Sequence, residues 1–400
     1  MRSTPRRAPI GERPSPATRL RGLRTGLAAC LALAGALAVL AQPVLAHAVP
    51  AQPVLAQPAT GAAAAPLPAS SASMPDPGAY LNGNQFVAFS TGSGLRESTA
   101  SIAAGPWSAP ADKLGSLPPW TTSRGIWAPD IEHVTNGWVV YFSAVLHQPS
   151  GSPQYASGAR CVGVATSASP TGPFVAAAKP LVCLPGYGAA DDMSADPGNR
   201  VPDEGAIDAS PSFVTVDGER RLYLLYKTQG LPATIRMVRL SVTDGQTVLG
   251  DSHQLVWSTK GGDGTYTFAD TVEGPSLVQH GDYYVLFAAK GNYGLCGYST
   301  VWYKSQHIWS WDNTPTSLLT SANTGLCGPG GADVTGSQVA GQDRIFLHGW
   351  VCGSGTTPCT GAAGQPDPGA NPNARRVMYA AVLTWAADGY TPVVGEYLSP

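Results

Sequence analysis

IDASPSFVTVDGERRLYLLYKT, residues 207–228, opens on the acid Asp208, runs through a β-branched stretch and ends in a second run rich in Leu and Tyr. Asp217-Gly218 separates the two runs, and Asp-Gly between apolar stretches is a strong hairpin signal. The same order recurs four more times: PDPGAYLNGNQFVAFSTG from Pro75, WAPDIEHVTNGWVVYFSA from Trp127, VEGPSLVQHGDYYVLFAAKG from Val272 and GPGGADVTGSQVAGQDRIFLHGW from Gly328. Asn82-Gly83 and Asn136-Gly137 punctuate the first two of these. Further strand-like stretches, CVGVATS from Cys161 and TIRMVRLS from Thr234, fall between copies, and no helical periodicity persists. Repeats of this length, each with room for about four short strands, predict an all-β chain folded as a five-bladed β-propeller.

In such a ring the innermost strands run along one central channel. Residues near their starts converge on one mouth of it. Asp76, Asp130, Asp208 and Glu273 begin four of the copies and are expected at equivalent positions, so they should meet in space. The alternative, that each acid merely caps its own hairpin, is reasonable for one copy and less so for four. Gathered carboxyl groups suit acid–base chemistry. Hydrolysis of a glycosidic bond needs one carboxyl to protonate the leaving oxygen and another to take a proton from water, and a third nearby can raise the acid's pKa by repulsion.

The rest of the chain bounds the setting. Formal net charge is -2 and charged residues are 12% of the chain, which argues against nucleic acid or an acidic membrane surface as partner. Low charge with 47 Gly and 36 Pro suits a β-rich extracellular protein. Residues 1–48 read as a secretory signal: Arg19, Arg21 and Arg24, an apolar run from Gly26 to Ala41, then Ala46-His47-Ala48 as a cleavage site. Residues 49–73 are Ala, Pro and Ser with few large apolar groups, and are expected to be a disordered tether before a propeller over 74–400. Beyond Cys30 six cysteines remain, an even number that in an exported chain implies disulfides; sequential pairing gives Cys161–Cys183, Cys296–Cys327 and Cys352–Cys359. Their spacing fits no common zinc pattern. Asp191, Asp192, Asp196, Asp203 and Glu204 lie in a Gly/Pro-rich stretch and read as solvated. Asp270 reads as a rim group, and Trp107, Trp120, Trp302, Trp309 and Trp311 read as packing.

Over residues 74–400 these motifs resemble glycoside hydrolase family 43. The resemblance implies that Asp76, in Pro75-Asp76-Pro77, is the general base. It makes Asp208 the substrate-orienting acid that tunes the pKa of its neighbour, and Glu273, in Glu273-Gly274-Pro275, the general acid. It implies that Trp127 and Asp130 of the WAPD motif bind substrate, with His348 a further candidate facing the channel. Ser167 to Phe174 matches the turn S-x-S-P-x-G-P-[FW] of that family. Many members carry a His in the last Gly-Pro-Gly motif, often tied to a central metal ion; here Gly331 stands there, so bound calcium is left open and no cofactor is required. The implied activity is inverting hydrolysis releasing L-arabinofuranose or xylose from arabinan or arabinoxylan by a secreted monomer. Endo-arabinanase or β-xylosidase action on the same scaffold, a fructan-cleaving propeller, and a non-catalytic sugar-binding propeller are the alternatives.

Overall fold

The hairpins expected from the five motifs form the inner halves of five antiparallel sheets in a computed structural model. It describes residues 64–187, 205–362 and 366–400. The export signal, the start of the tether and the five acids between Asp191 and Glu204 lie outside the described residues.

The first sheet holds β2 (Gly78–Asn82), β3 (Gln85–Ser90), β5 (Arg96–Ala100) and β6 (Ala111–Asp112). The second holds β7 (Gly125–Val134), β8 (Gly137–Val145), β9 (Arg160–Ser167) and β10 (Val175–Ala176), with the short β4 (Gly92–Ser93) on the edge of β7. The third runs β11 (Ala206–Val216), β12 (Glu219–Thr228), β13 (Thr234–Leu240) and β14 (His253–Trp257). The fourth runs β15 (Val272–His280), β16 (Tyr283–Lys290), β17 (Ser299–Ser305) and β18 (Thr316–Leu319). The fifth is built on β19 (Cys327–Gly336), β20 (Asp343–Cys352) and β21 (Ala374–Trp385). The inner strands β2, β7, β11, β15 and β19 pack in turn against one another, and β19 packs back against β2. That closure makes the ring a five-bladed β-propeller.

The fold starts earlier than the expected boundary at Met74. β1 (Ser70–Ser73) pairs with β21, and so does β22 (Pro392–Leu398). Both ends of the described chain therefore complete the fifth sheet. Few large side chains are needed for this, because a strand is held by its backbone ladder as well as by burial; Ala69 is buried and the Met74 N–H donates to the Arg376 carbonyl at 2.9 Å.

Asp217-Gly218 forms the two-residue turn its sequence demands, with φ of 53° and 78° and Val216 paired to Glu219. Apolar residues of β8, β12, β16 and β20 fill the layers between blades, with Phe142, Tyr226, Phe287 and Phe346 fully buried. Trp120 stacks on Phe142, and Trp107 packs against Phe86 and Phe346, as their reading as packing residues required. The three expected disulfides, Cys161–Cys183, Cys296–Cys327 and Cys352–Cys359, all form. Among the described residues no helix is long and apolar enough to cross a membrane.

Candidate active site

Each inner strand enters the channel through the same local device. Trp127 pairs with Ser143 and Asp130 with Tyr141, so three steps on β7 match two on β8. The same one-residue excess occurs between Ile207 and Ser210, between Glu273 and Ser276, and between Gly330 and Asp333. This is a β-bulge, which re-aims side chains at a strand end. The residue after the first of each pair has positive φ: Ala128 at 38°, Asp208 at 56°, Gly274 at 55° and Gly331 at 58°. Asp76, at 49°, fills that place ahead of β2. Asp tolerates this left-handed backbone better than most residues.

The bulges correct the expectation that the four acids occupy equivalent positions. Only Asp76 and Asp208 do. Glu273 stands one residue earlier, where the other copies have Pro75, Trp127, Ile207 and Gly330. Asp130 stands two residues later, level with Gly78, Ser210, Ser276 and Asp333. All four still line one cavity of about 710 Å³, together with Trp127, Lys227, Tyr298, Asp333 and Arg376. A cavity of that size is typical of small-molecule sites.

Asp76 is built as a carboxylate. Arg376 Nη1 donates to its Oδ1 at 2.7 Å and Thr91 Oγ1 to its Oδ2 at 2.7 Å. Burial alone would raise its pKa; the Arg376 charge and these hydrogen bonds overturn that and hold it well below the usual carboxylate range. Thr91 Oγ1 also accepts from the Ala128 N–H at 2.8 Å, tying the base to the WAPD bulge.

Asp208 and Glu273 lie close to one another in the same cavity. The Gly274 N–H donates to Asp208 Oδ2 at 3.1 Å, so the residue after the expected acid holds its neighbour. Glu273 accepts from Lys227 Nζ at 2.8 Å on Oε2 and from the Tyr298 hydroxyl at 2.9 Å on Oε1. Burial, then the charge of Glu273, push Asp208 up to about 7 against the counter-pull of Lys227. Arg160 faces Asp208 and lies over the Trp127 ring, its guanidinium carbon 3.3 Å from the centroid. Trp127 remains 38% exposed, a flat apolar face open to the cavity.

Of the expected binding residues, Trp127 and Asp130 line the cavity and His348 does not. His348 does not reach the cavity: its side chain is fully buried, its Nδ1 accepts from the Asp76 N–H at 3.2 Å, and its ring stacks on Tyr298. It supports the base from beneath. The cause is the last motif, where a Cβ on Gly331 would lie 2.7 Å from His348 Nδ1 and one on Gly330 2.3 Å from the Tyr298 ring. Those glycines make room for His348 and Tyr298. Asp130 is nearly buried in the cavity floor, with Ile131 N–H on its Oδ1 and its carboxyl against Gly78. Burial, then Asp333, raise its pKa well above the usual value, and burial raises Asp333 to about 6. Asp270 proves to be a cap, accepting from both N–H and hydroxyl of Thr267.

Arg376, Lys227, Tyr298, Thr91 and Asp333 escaped the reading of the sequence. Lys227 ends the apolar run of β12, and a cation closing such a run in a chain so poor in charge was a usable signal. Asp333 follows Gly331 by two residues as Asp130 follows Ala128, so aligning the copies on their bulges would have found it. As for calcium, among the described residues no three His, Cys, Asp or Glu groups gather in a metal-binding arrangement, and His348 fills the space beside Gly331. The donor set does not fit a cation held by protein ligands, and nothing below relies on one.

Comparison with known proteins bears on the fold and the family. No curated protein matches the chain in sequence. Among solved structures, a thermostable family-43 glycoside hydrolase is 19% identical, with a TM-score of 0.59 over 82% of this chain and 95% of that one. An endo-1,4-beta-xylanase from Bacteroides thetaiotaomicron is 18% identical, with a TM-score of 0.55 over 84% and 97%. An alpha-L-arabinanase from Cellvibrio cellulosa, solved with arabinohexaose, is 17% identical, with a TM-score of 0.54 over 82% and 99%. The model of glycosyl hydrolases family 43 matches residues 68–391. The chain belongs to glycoside hydrolase family 43, and it is a glycosidase.

Proposed function

We propose that the protein is a secreted, inverting α-L-arabinofuranosidase acting on arabinan or arabinoxylan. The observation that carries the catalytic assignment is the unequal surroundings of its carboxyl groups: Arg376 and Thr91 donate to Asp76, while Asp208 and Glu273 are gathered in the same cavity. Environments that push two titratable groups apart mark out base and acid. Asp76, held ionised by Arg376, takes a proton from the attacking water. Glu273, beside the raised carboxyl of Asp208, delivers a proton to the leaving oxygen while Asp208 orients the sugar. Trp127 offers a stacking face for a sugar ring. Disulfides in all six cysteines of the folded part support export. The names of solved relatives, an exo-1,5-alpha-L-arabinanase and an alpha-L-arabinofuranosidase among them, support the choice of arabinose.

The test compares leaving groups and sugars. Glu273→Gln should lose about 10² to 10⁴-fold on arabino-oligosaccharide yet much less on a dinitrophenyl arabinofuranoside, whose leaving group hardly needs a proton. Asp76→Asn should be crippled on both. Equal losses for Glu273→Gln on the two substrates, with chemistry rate-limiting, would overturn the acid assignment. Faster release from aryl β-xylosides than from aryl arabinofuranosides would overturn the sugar, and retention of configuration by proton NMR would overturn inversion.

A further inference from the structure

Both oxygens of Glu273 are engaged, one by an ammonium and one by a phenol. The two partners differ in what they permit. An ammonium has three donors and no acceptor, so it pairs best with the oxygen that carries no proton, the stronger acceptor. A tyrosine hydroxyl donates or accepts and turns about its C–O bond. We propose that Lys227 is a positioning residue for the general acid: it keeps Oε2 of Glu273 unprotonated, so that the proton meant for the leaving group rides on Oε1, the oxygen beside Tyr298. This inference rests on the assignment of Glu273 as the acid.

The chain of contacts makes the placement firm. Lys227 lies on β12 with a side chain 8% exposed, and Glu273 on β15 with one 12% exposed, so the pair is shielded from bulk water. Asp208 on β11 acts on Glu273 and Lys227 together; Tyr298, ahead of β17, covers the other oxygen; Asp76 and His348 are near enough to act on Tyr298 and Glu273 through their charge or ring. Arg376 and Arg160 lie one step further out, on Asp76 and Asp208. In the reaction the Oε1 proton passes to the glycosidic oxygen, which keeps the electron pair of the breaking C–O bond and becomes a hydroxyl. Water oxygen bonds the anomeric carbon and gives its proton to Asp76. Glu273 is left a carboxylate, and its attraction to Lys227 grows as the proton departs. An interaction that strengthens toward the transition state accelerates the step.

Two readouts test this. The first is the pH dependence of kcat/KM on aryl arabinofuranosides for the parent, Lys227→Met and Lys227→Arg. Removing a cation beside a carboxyl pair lets it hold its proton to higher pH, so Lys227→Met should move the basic limb up by about one unit or more. It should also lose more rate on poor leaving groups than on good ones. Lys227→Arg should restore both. A loss of rate with the limb in place, as a packing role would give, overturns the proposal, and so does a limb that moves down. The second readout needs no turnover: carbon-13 NMR of Asp carboxyl groups, with Asp208 assigned through Asp208→Asn. Its titration should move up in Lys227→Met, or in Lys227→Gln if Met disturbs folding, and an unmoved titration overturns the proposal. A moved titration in a protein whose parent cleaves no glycoside sinks the functional reading instead and leaves the hold of Lys227 on the pair standing.

Discussion

Arg376 and Asp76 illustrate how single side chains decide chemistry here. The ion pair keeps the base ionised far into acid. Arg376→Met should therefore shift the acidic limb of kcat/KM upward, because Asp76 would then protonate at higher pH; an unmoved limb would show that Thr91 and His348 suffice. Asp208 has the opposite sign. The unfolded chain releases its proton near the ordinary value of 3.8, whereas the folded protein holds it to about 7. Between those values the native state binds the extra proton, so stability falls as pH rises through that window. Asp208→Asn removes the cost. Thermal unfolding at pH 7.5 should show a Tm raised by a few degrees, with a smaller gain at pH 4.5, while activity collapses. A Tm lowered at pH 7.5 would mean that its bond to Gly274 outweighs the desolvation.

At the scale of elements, the bulge at each strand entry and the double edge on β21 matter most. The bulge gives each copy one left-handed residue, and this chain spends two of those five places on Asp76 and Asp208. β1 shares β21 with β22, and it leads directly into the base: Arg96 donates to the Ser73 carbonyl at 2.9 Å, and Met74 binds the Arg376 carbonyl. Deleting residues 64–73 should lower Tm by several degrees and also reduce kcat/KM, since it loosens the backbone on which Asp76 and Arg376 meet. Unchanged melting of the shortened chain would assign ring closure to β22 alone.

Across the whole molecule, three disulfides brace loops in the second, fourth and fifth blades. Two of them lie close to the site, one near the acid and one near the base: Cys296 is two residues from Tyr298, and Cys352 two from Trp350, over which Arg376 lies. Loops of about 15 residues or more are each worth about 3 kcal/mol when closed by a disulfide. Melting under reductant should thus show a clear fall in Tm, and an unchanged value would mean that blade packing alone holds these loops. The residues read alone established the five strand pairs, the Asp217-Gly218 turn and the acids Asp76, Asp208 and Glu273 at strand entries, whereas the first two hairpins turn at Gly83-Asn84 and Thr135-Asn136, one residue away from the Asn-Gly signals. Alternating strands, Asp-Gly turns and the acids that precede them are all local, lying within a window of some twenty residues. Only the tertiary structure decided what those acids touch. Arg376 is 300 residues from Asp76 and Lys227 is 46 from Glu273, and each pair meets only once the ring is closed. The bulge register, which drops Asp130 to the floor and lets His348 fill the space at Gly331, likewise follows from how strands pair across the channel, a property that no local stretch of residues carries.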